Sequence, residues 1–337
     1  MARARTYRAA LAATATAVGA VGAGWELTRR RDVARLAADP HRDILTAVPP
    51  GRPDSVATSD GGRLAVRVTD AVAEPKAAIV FAHGWGMGIR FWMHQLRAFA
   101  PDHLVVAYAQ RGHCASSEVG RDGFSIGALG RDLAAVVDAH VPADLPLILV
   151  GHSLGGMSVL AAGRIDGFAE RVDGAVLVDT GASDLVRGMF RGLGLVEQLA
   201  GAVGGHALRA RLPIPTRTTP LSSRMVRTVA LNPQAPPAAV ALTEQLFLDC
   251  PVDARVGVGH ALADLDLTED VARWKVPTTV VVGARDRMTP PHHARRLVRE
   301  LPDGELVELP RTGHQSPLER PQEVTAAIAA RVARARG

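Results

Sequence analysis

From residue 61 onward, short continuous apolar runs alternate with segments whose apolar positions recur every three to four residues. The runs are Leu64–Val68, Ala77–Ala82, Leu104–Ala109, Leu145–Val150, Ala175–Val178, Thr278–Val282 and Glu305–Leu309. They are short, rich in branched residues and mostly lack polar alternation, the signature of strands buried on both faces. Helical spacing occurs at Phe91–Phe99, Ile126–His140, Leu154–Ala162, His292–Leu301 and Gln322–Arg334. Strands separated by helices predict an α/β fold with a doubly wound, mostly parallel sheet covered on both faces.

One interval breaks the alternation. From Ser183 to about Leu267 no strand pattern stands out, and helical spacing at Leu185–Leu199, Ser222–Leu231 and Ala238–Leu248 is separated by Pro-rich turns. The expected organisation is a core in two parts, 61–182 and 268–337, with a helical cap over 183–267 covering the strand ends. The cap would contribute Leu185, Met189, Phe190, Leu195, Met225, Leu246 and Phe247, either to an acyl pocket or to packing of cap on core. Residues 36–60, polar and Pro-rich around Pro49, Pro50 and Pro53, read as a linker.

Residues 1–35 change the reading of charge. They hold seven arginines against Glu26 and Asp32, a surplus of five that equals the formal charge of the whole chain, +5. The remainder is neutral overall, with no basic helix and no zinc-finger or RNP-like spacing, which argues against nucleic acid as a partner. Within this leader, Ala9–Trp25 carries no charge. As a helix it would span roughly 25 Å, slightly under a bilayer core of about 30 Å. Three readings stand: a membrane anchor, the one preferred; a cleaved export signal; and an Ala-rich leader on a cytoplasmic protein. The two cysteines, Cys114 and Cys250, are too few for a disulfide framework or a thiolate metal site.

Four segments carry the candidate chemistry. Gly151-His152-Ser153-Leu154-Gly155-Gly156 follows a strand and opens a helix, the G-x-S-x-G nucleophile elbow in its required context. The sharp turn lifts the Ser153 hydroxyl above the sheet, and the following helix adds N–H donors at its amino end. His83-Gly84-Trp85-Gly86 ends the strand Ala77–Ala82, and its loop comes close to the elbow in a doubly wound sheet. The backbone N–H groups of Trp85 and Leu154 are therefore the expected oxyanion-hole donors. Thr312-Gly313-His314-Gln315 follows the last strand and places His314 to act as general base. Gly283-Ala284-Arg285-Asp286 follows the strand before it, and Asp286 would hold the tautomer of His314. Asp179, after the strand Ala175–Val178, is the alternative acid.

With these residues in place the chain resembles the α/β-hydrolase superfamily over about 60–330, in the capped single-chain branch of esterases, lipases and haloperoxidase-like enzymes. Arg111-Gly112-His113 resembles the family's Arg-Gly-His-Gly turn, with Cys114 in place of the last glycine, and Trp92 with Gln95-Leu96 matches the helix after the oxyanion loop. A serine rather than an aspartate at the elbow sets the chain apart from the haloalkane dehalogenase and epoxide hydrolase branches. The resemblance implies hydrolysis of a small-molecule or lipid ester through an acyl-serine intermediate, with no metal or organic cofactor. Acyl transfer, perhydrolysis and carbon–carbon hydrolysis use the same triad and remain open, as does a catalytically idle, membrane-tethered binding protein.

Overall fold

The computed structural model describes residues 26–69, 74–119, 123–185 and 218–335. Eight strands form one sheet: β1 (Arg52–Ala57), β2 (Arg63–Val68), β3 (Ala78–Ala82), β4 (Leu104–Tyr108), β5 (Leu147–His152), β6 (Gly174–Val178), β7 (Thr278–Gly283) and β8 (Gly304–Leu309). Their spatial order is β1-β2-β4-β3-β5-β6-β7-β8. The β1–β2 and β2–β4 pairs are antiparallel and all others are parallel. Every residue of β3, β4, β5, β6 and β7 is buried. That is why these segments read as continuous apolar runs.

The described helices, besides one over 26–37, are α1 (Arg42–Thr46), α2 (Met93–Phe99), α3 (Ile126–His140), α4 (Leu154–Ala162), α5 (Pro220–Ala230), α6 (Pro237–Asp249), α7 (Val252–Ala263), α8 (Thr268–Arg273), α9 (Pro291–Glu300), α10 (Ser316–Glu319) and α11 (Pro321–Arg334). The pleat of β3 divides the core between the two sheet faces. Ala78, Val80 and Ala82 pack with Leu129 and Leu133 of α3, Val159 of α4 and Leu297 of α9. Ile79 and Phe81 pack with Leu96 of α2 and Val324 and Ile328 of α11. Helices therefore cover both faces, as the alternation of patterns predicts.

Two departures from the sequence reading have physical causes. The segment 36–60 is not a linker. It contains α1, whose Leu45 is buried, and β1, which pairs residue for residue with β2 from Arg52 to Ala57. β1 lies at the edge of the sheet and only its Val56 is buried, so no period-two apolar pattern marks it, and Pro53 is tolerated there. Asp39, in the same segment, accepts the Ala238 N–H at 2.8 Å and so ties this region to α6. The second departure is the extent of helix between β6 and β7. Besides α5 and α6, which match the expected patterns, α7 and α8 form where the sequence reading had no helix. α7 buries Ala254, Val256, Gly257, Val258 and Gly259, small residues with little amphipathic contrast. Among the described residues of this interval, extended pairing is limited to one bridge, Ser183 with Asp266.

No helix among the described residues is long and apolar enough to cross a membrane. The uncharged stretch 9–25 lies outside the described residues, as do 186–217, with Met189, Phe190, Leu195 and most of the expected helix Leu185–Leu199.

Candidate active site

Ser153 stands between β5 and α4 with φ 50° and ψ −116°. A non-glycine residue with positive φ costs on the order of 1–3 kcal/mol, held by the surrounding fold. The flanking glycines make the turn possible. A Cβ on Gly151 would lie 2.5 Å from the Gly155 carbonyl oxygen, and one on Gly155 would lie 2.1 Å from the Ala82 carbonyl oxygen. α4 thus presses directly on β3, and Ser153 is pushed out at the strand ends. Its N–H donates to the Val178 carbonyl at 2.9 Å, and its own carbonyl accepts the Thr180 hydroxyl at 2.7 Å. The Ser153 hydroxyl has no hydrogen-bond partner among the described residues.

The loop after β3 approaches the elbow closely, since a Cβ on Gly84 would stand 3.2 Å from Ser153 Cβ. Neither the Trp85 N–H nor the Leu154 N–H has an acceptor among the described residues. The Leu154 N–H is free because the first turn of a helix has no acceptor behind it.

Asp286 and His314 meet at Oδ2 and Nδ1, 2.8 Å apart, both buried. Asp286 Oδ1 accepts the N–H groups of Met288 (2.8 Å) and Thr289 (2.9 Å), and Oδ2 also accepts the Thr289 hydroxyl at 2.8 Å. The carboxylate is thereby fully hydrogen-bonded and aimed at the imidazole, leaving Nε2 of His314 as the basic atom. Burial depresses the His314 pKa, but the Asp286 charge and hydrogen bond, with the Asp179 charge, outweigh it and leave the pKa above its ordinary value. Ser153, His314 and Thr289 line one cavity of about 330 Å³, whose other walls include Trp85, Met157, Met225, Phe247 and Met288.

Asp179 does not hydrogen-bond His314. Its Oδ1 accepts the Gly283 N–H (2.9 Å) and the Ser316 hydroxyl (2.9 Å), and its Oδ2 accepts the Ser316 N–H (3.0 Å). Burial and the neighbouring Asp286 charge push its pKa well up. It fastens the loop after His314 to the ends of β6 and β7.

A model of the alpha/beta hydrolase family matches residues 79–328, most of the chain. The chain belongs to the α/β hydrolase family. Among characterised relatives of this hydrolase, 3-oxoadipate enol-lactonase 2 of Acinetobacter baylyi is 25% identical over 260 residues, covering 76% of the chain and 88% of the relative. A non-heme chloroperoxidase of Burkholderia pyrrocinia is 29% identical over 250 residues, covering 71% and 86%. The fold is similar to a thermophilic esterase from Thermogutta terrifontis (TM-score 0.68, 20% identity, 85% and 100% coverage). It is also similar to a membrane phospholipase A described as a bacterial virulence factor (TM-score 0.67, 20% identity, 95% and 96% coverage).

Around the candidate site further buried side chains hold the loops in place. His113 Nε2 accepts the Gly86 N–H at 3.1 Å, and His83 Nε2 accepts the Gln110 N–H at 3.0 Å. Both rings are buried, which lowers their pKa, to about 3 for His83, where the nearby His113 ring adds to the effect. They are therefore neutral acceptors that fix the loop bearing Trp85. His152, next to Ser153, turns away and donates from Nε2 to the His314 carbonyl at 2.8 Å, with its ring 4.4 Å from that of Phe91. Cys114 adopts φ 52° in the turn where the family pattern has glycine, so the turn keeps its left-handed residue. Arg111 beside it is clamped by Asp132 through two contacts of 2.7 Å. The His-Gly and Arg-Gly-His pairs were the available sequence signals for His83 and His113. Nothing in the local pattern marks Thr289 or Glu319 as neighbours of the site.

Proposed function

We propose that the protein hydrolyses carboxylic esters with apolar acyl groups through an acyl-enzyme on Ser153. The observation that carries this reading is the Asp286–His314 pair at 2.8 Å, sharing one largely apolar cavity with Ser153 on its strained elbow. Asp286 fixes the Nδ1–H tautomer, so Nε2 is free to take the proton of the Ser153 hydroxyl as Oγ attacks the acyl carbon. The carbonyl oxygen becomes an oxyanion, for which the free N–H groups of Trp85 and Leu154 are the donors; each such donor is worth about 3 kcal/mol in other enzymes. His314 then protonates the leaving alkoxide, and water, deprotonated by the same nitrogen, releases the acid. In unliganded sites the serine–histidine hydrogen bond often tightens only when substrate binds. Ester chemistry is consistent with the esterase and lactonase likenesses, a lactone being a cyclic ester.

The chloroperoxidase likeness supports a second reading, in which hydrogen peroxide replaces water at the acyl-enzyme and a peracid leaves. One experiment tests both. A fluorophosphonate probe should label the full-length protein and fail on Ser153→Ala. A series of p-nitrophenyl esters, with and without peroxide, then reports acid or peracid as product. Labelling that survives in Ser153→Ala overturns the nucleophile, and absence of labelling in the intact protein supports a binding role instead.

A further inference from the structure

α5 opens with a capping box. The Thr219 hydroxyl accepts the Ser222 N–H at 3.0 Å, and the Ser222 hydroxyl accepts the Thr219 N–H at 2.8 Å. Ser222 and Ser223 both donate to the Glu244 carboxylate of α6, which fixes the inner side of the helix. The outer side carries Leu221, Met225 and Val229 at i, i+4 and i+8, which stand 61%, 60% and 48% exposed. Such spacing makes one continuous apolar stripe facing water. Met225 and Val229 are also walls of the Ser153 cavity, so the stripe runs into its mouth.

The charge that α5 itself carries is of one sign. α5 holds Arg224 and Arg227 and no acid. Arg224 has no ion-pair partner among the described residues. At the other end of the helix the exposed Arg287 donates to the Thr228 carbonyl at 2.8 Å, next to Val229. Apolar side chains with flanking arginines match the boundary between acyl chains and anionic headgroups, where the former gain from leaving water and the latter from the surface potential.

We propose that the outer face of α5 is a docking surface for an anionic lipid–water interface. Leu221, Met225 and Val229 enter the acyl boundary, and Arg224 and Arg287 sit among the headgroups. An ester held in that interface then reaches the cavity mouth without crossing bulk water. The delivery step rests on the ester-hydrolase reading, whereas the docking itself is measured without turnover.

The test is sedimentation of full-length protein with vesicles of phosphatidylcholine alone or mixed with phosphatidylglycerol at roughly 7:3. The variants are Leu221→Asp, Leu221→Asn and Arg224→Glu, since neither residue lines the Ser153 cavity. The intact protein should bind the anionic vesicles, less at high salt, and each variant should reduce partition roughly tenfold or more. Hydrolysis of a water-soluble short-chain ester should not change. Vesicle binding equal in all proteins would place membrane contact elsewhere in the chain and overturn the proposal. So would absence of vesicle binding together with a dimer that Leu221→Asp dissociates, which makes a second copy the occupant. Vesicle binding that requires Leu221, in a protein that cleaves no ester, would remove the ester-hydrolase reading and the delivery step and leave the docking surface standing.

Discussion

The N–H of His314 donates to the carbonyl of Ala230 at 2.9 Å, so the loop of the candidate base is hydrogen-bonded to the last residue of α5. Glu319 reinforces the joint. Its carboxylate accepts the N–H groups of Asn232 (2.8 Å), Gly313 (3.0 Å) and Gln315 (3.3 Å). The helical insertion and the histidine loop are thus one mechanical unit. Glu319→Gln keeps the shape but sets an amide NH₂ against backbone donors, at a cost of about 1–3 kcal/mol. A lower melting temperature is expected, together with a kcat reduced about tenfold by displacement of His314. Thermal melts and steady-state kinetics check this; a kcat unchanged at a temperature where the variant is fully folded would show that the joint serves stability alone.

The two candidate acids differ by geometry. Asp286→Asn leaves the shape intact but favours the wrong tautomer of His314, and kcat should fall on the order of 10⁴-fold. Asp179→Asn disturbs the bonds to Gly283 and Ser316, with a stability loss of about 1–3 kcal/mol and a much smaller effect on kcat. Kinetics of the two variants give the ranking, and the reverse order would move the acid to the end of β6.

The pH profile follows from His314. As a base it must be neutral, and the Asp286 charge holds its pKa above the ordinary 6.5 despite burial. The value of kcat/KM should therefore fall as pH drops through a midpoint above 6.5. Removing the charge in Asp286→Asn leaves burial dominant, which favours the neutral ring, so the midpoint of the residual activity should move to lower pH. A midpoint that stays in place in the variant would assign the limb to another group.

Phe247 tests the acyl pocket. It lines the Ser153 cavity, its ring centroid lies 6.2 Å from that of Trp85, and Arg255 stands 5.4 Å over its face. Phe247→Ala should shift the optimum in a series of p-nitrophenyl esters toward longer acyl chains. A uniform loss across the series, in step with a lower melting temperature, would mean that the ring serves packing only.

What could be read from the sequence follows from which forces are local. The central strands bury every residue, so they stand out as apolar runs, and the elbow needs Gly151 and Gly155 because α4 presses on β3. Both are visible in a few consecutive letters. β1 is hidden because an edge strand buries one side chain, Val56, and owes its place to hydrogen bonds with β2. Glu319 is hidden for a related reason. Its partner Asn232 lies 87 residues away and is set by the tertiary fold, and a buried acceptor has no spacing rule of its own. Asp179 and Asp286 both follow strands with similar patterns. Only the side-chain direction at the strand end separates a loop fastener from the partner of His314.

Asp39 and Leu45 tie the segment before β1 to the rest of the described fold. Asp39 accepts the Ala238 N–H, Leu45 is buried against the α2 side of the sheet, and Arg90 donates to the Leu45 carbonyl at 2.8 Å. The helix over 26–37 also lines a cavity against α5 and α6, through Val33 and Leu36. Deletion of residues 2–25 should therefore leave the fold and the hydrolysis of a soluble short-chain ester intact, because every candidate catalytic group lies at or after Trp85. Deletion of residues 2–50 removes the Asp39 bond and the Leu45 contacts and should lower the melting temperature by several degrees or more. If residues 9–25 form the membrane anchor proposed for them, the first deletion also moves the protein out of the membrane fraction of a high-salt lysate, in which docking through α5 is screened. Full-length protein found entirely in the soluble fraction, with its amino terminus intact, would overturn that anchor. Equal melting temperatures for the two deletions would show that the segment before β1 contributes nothing to the fold.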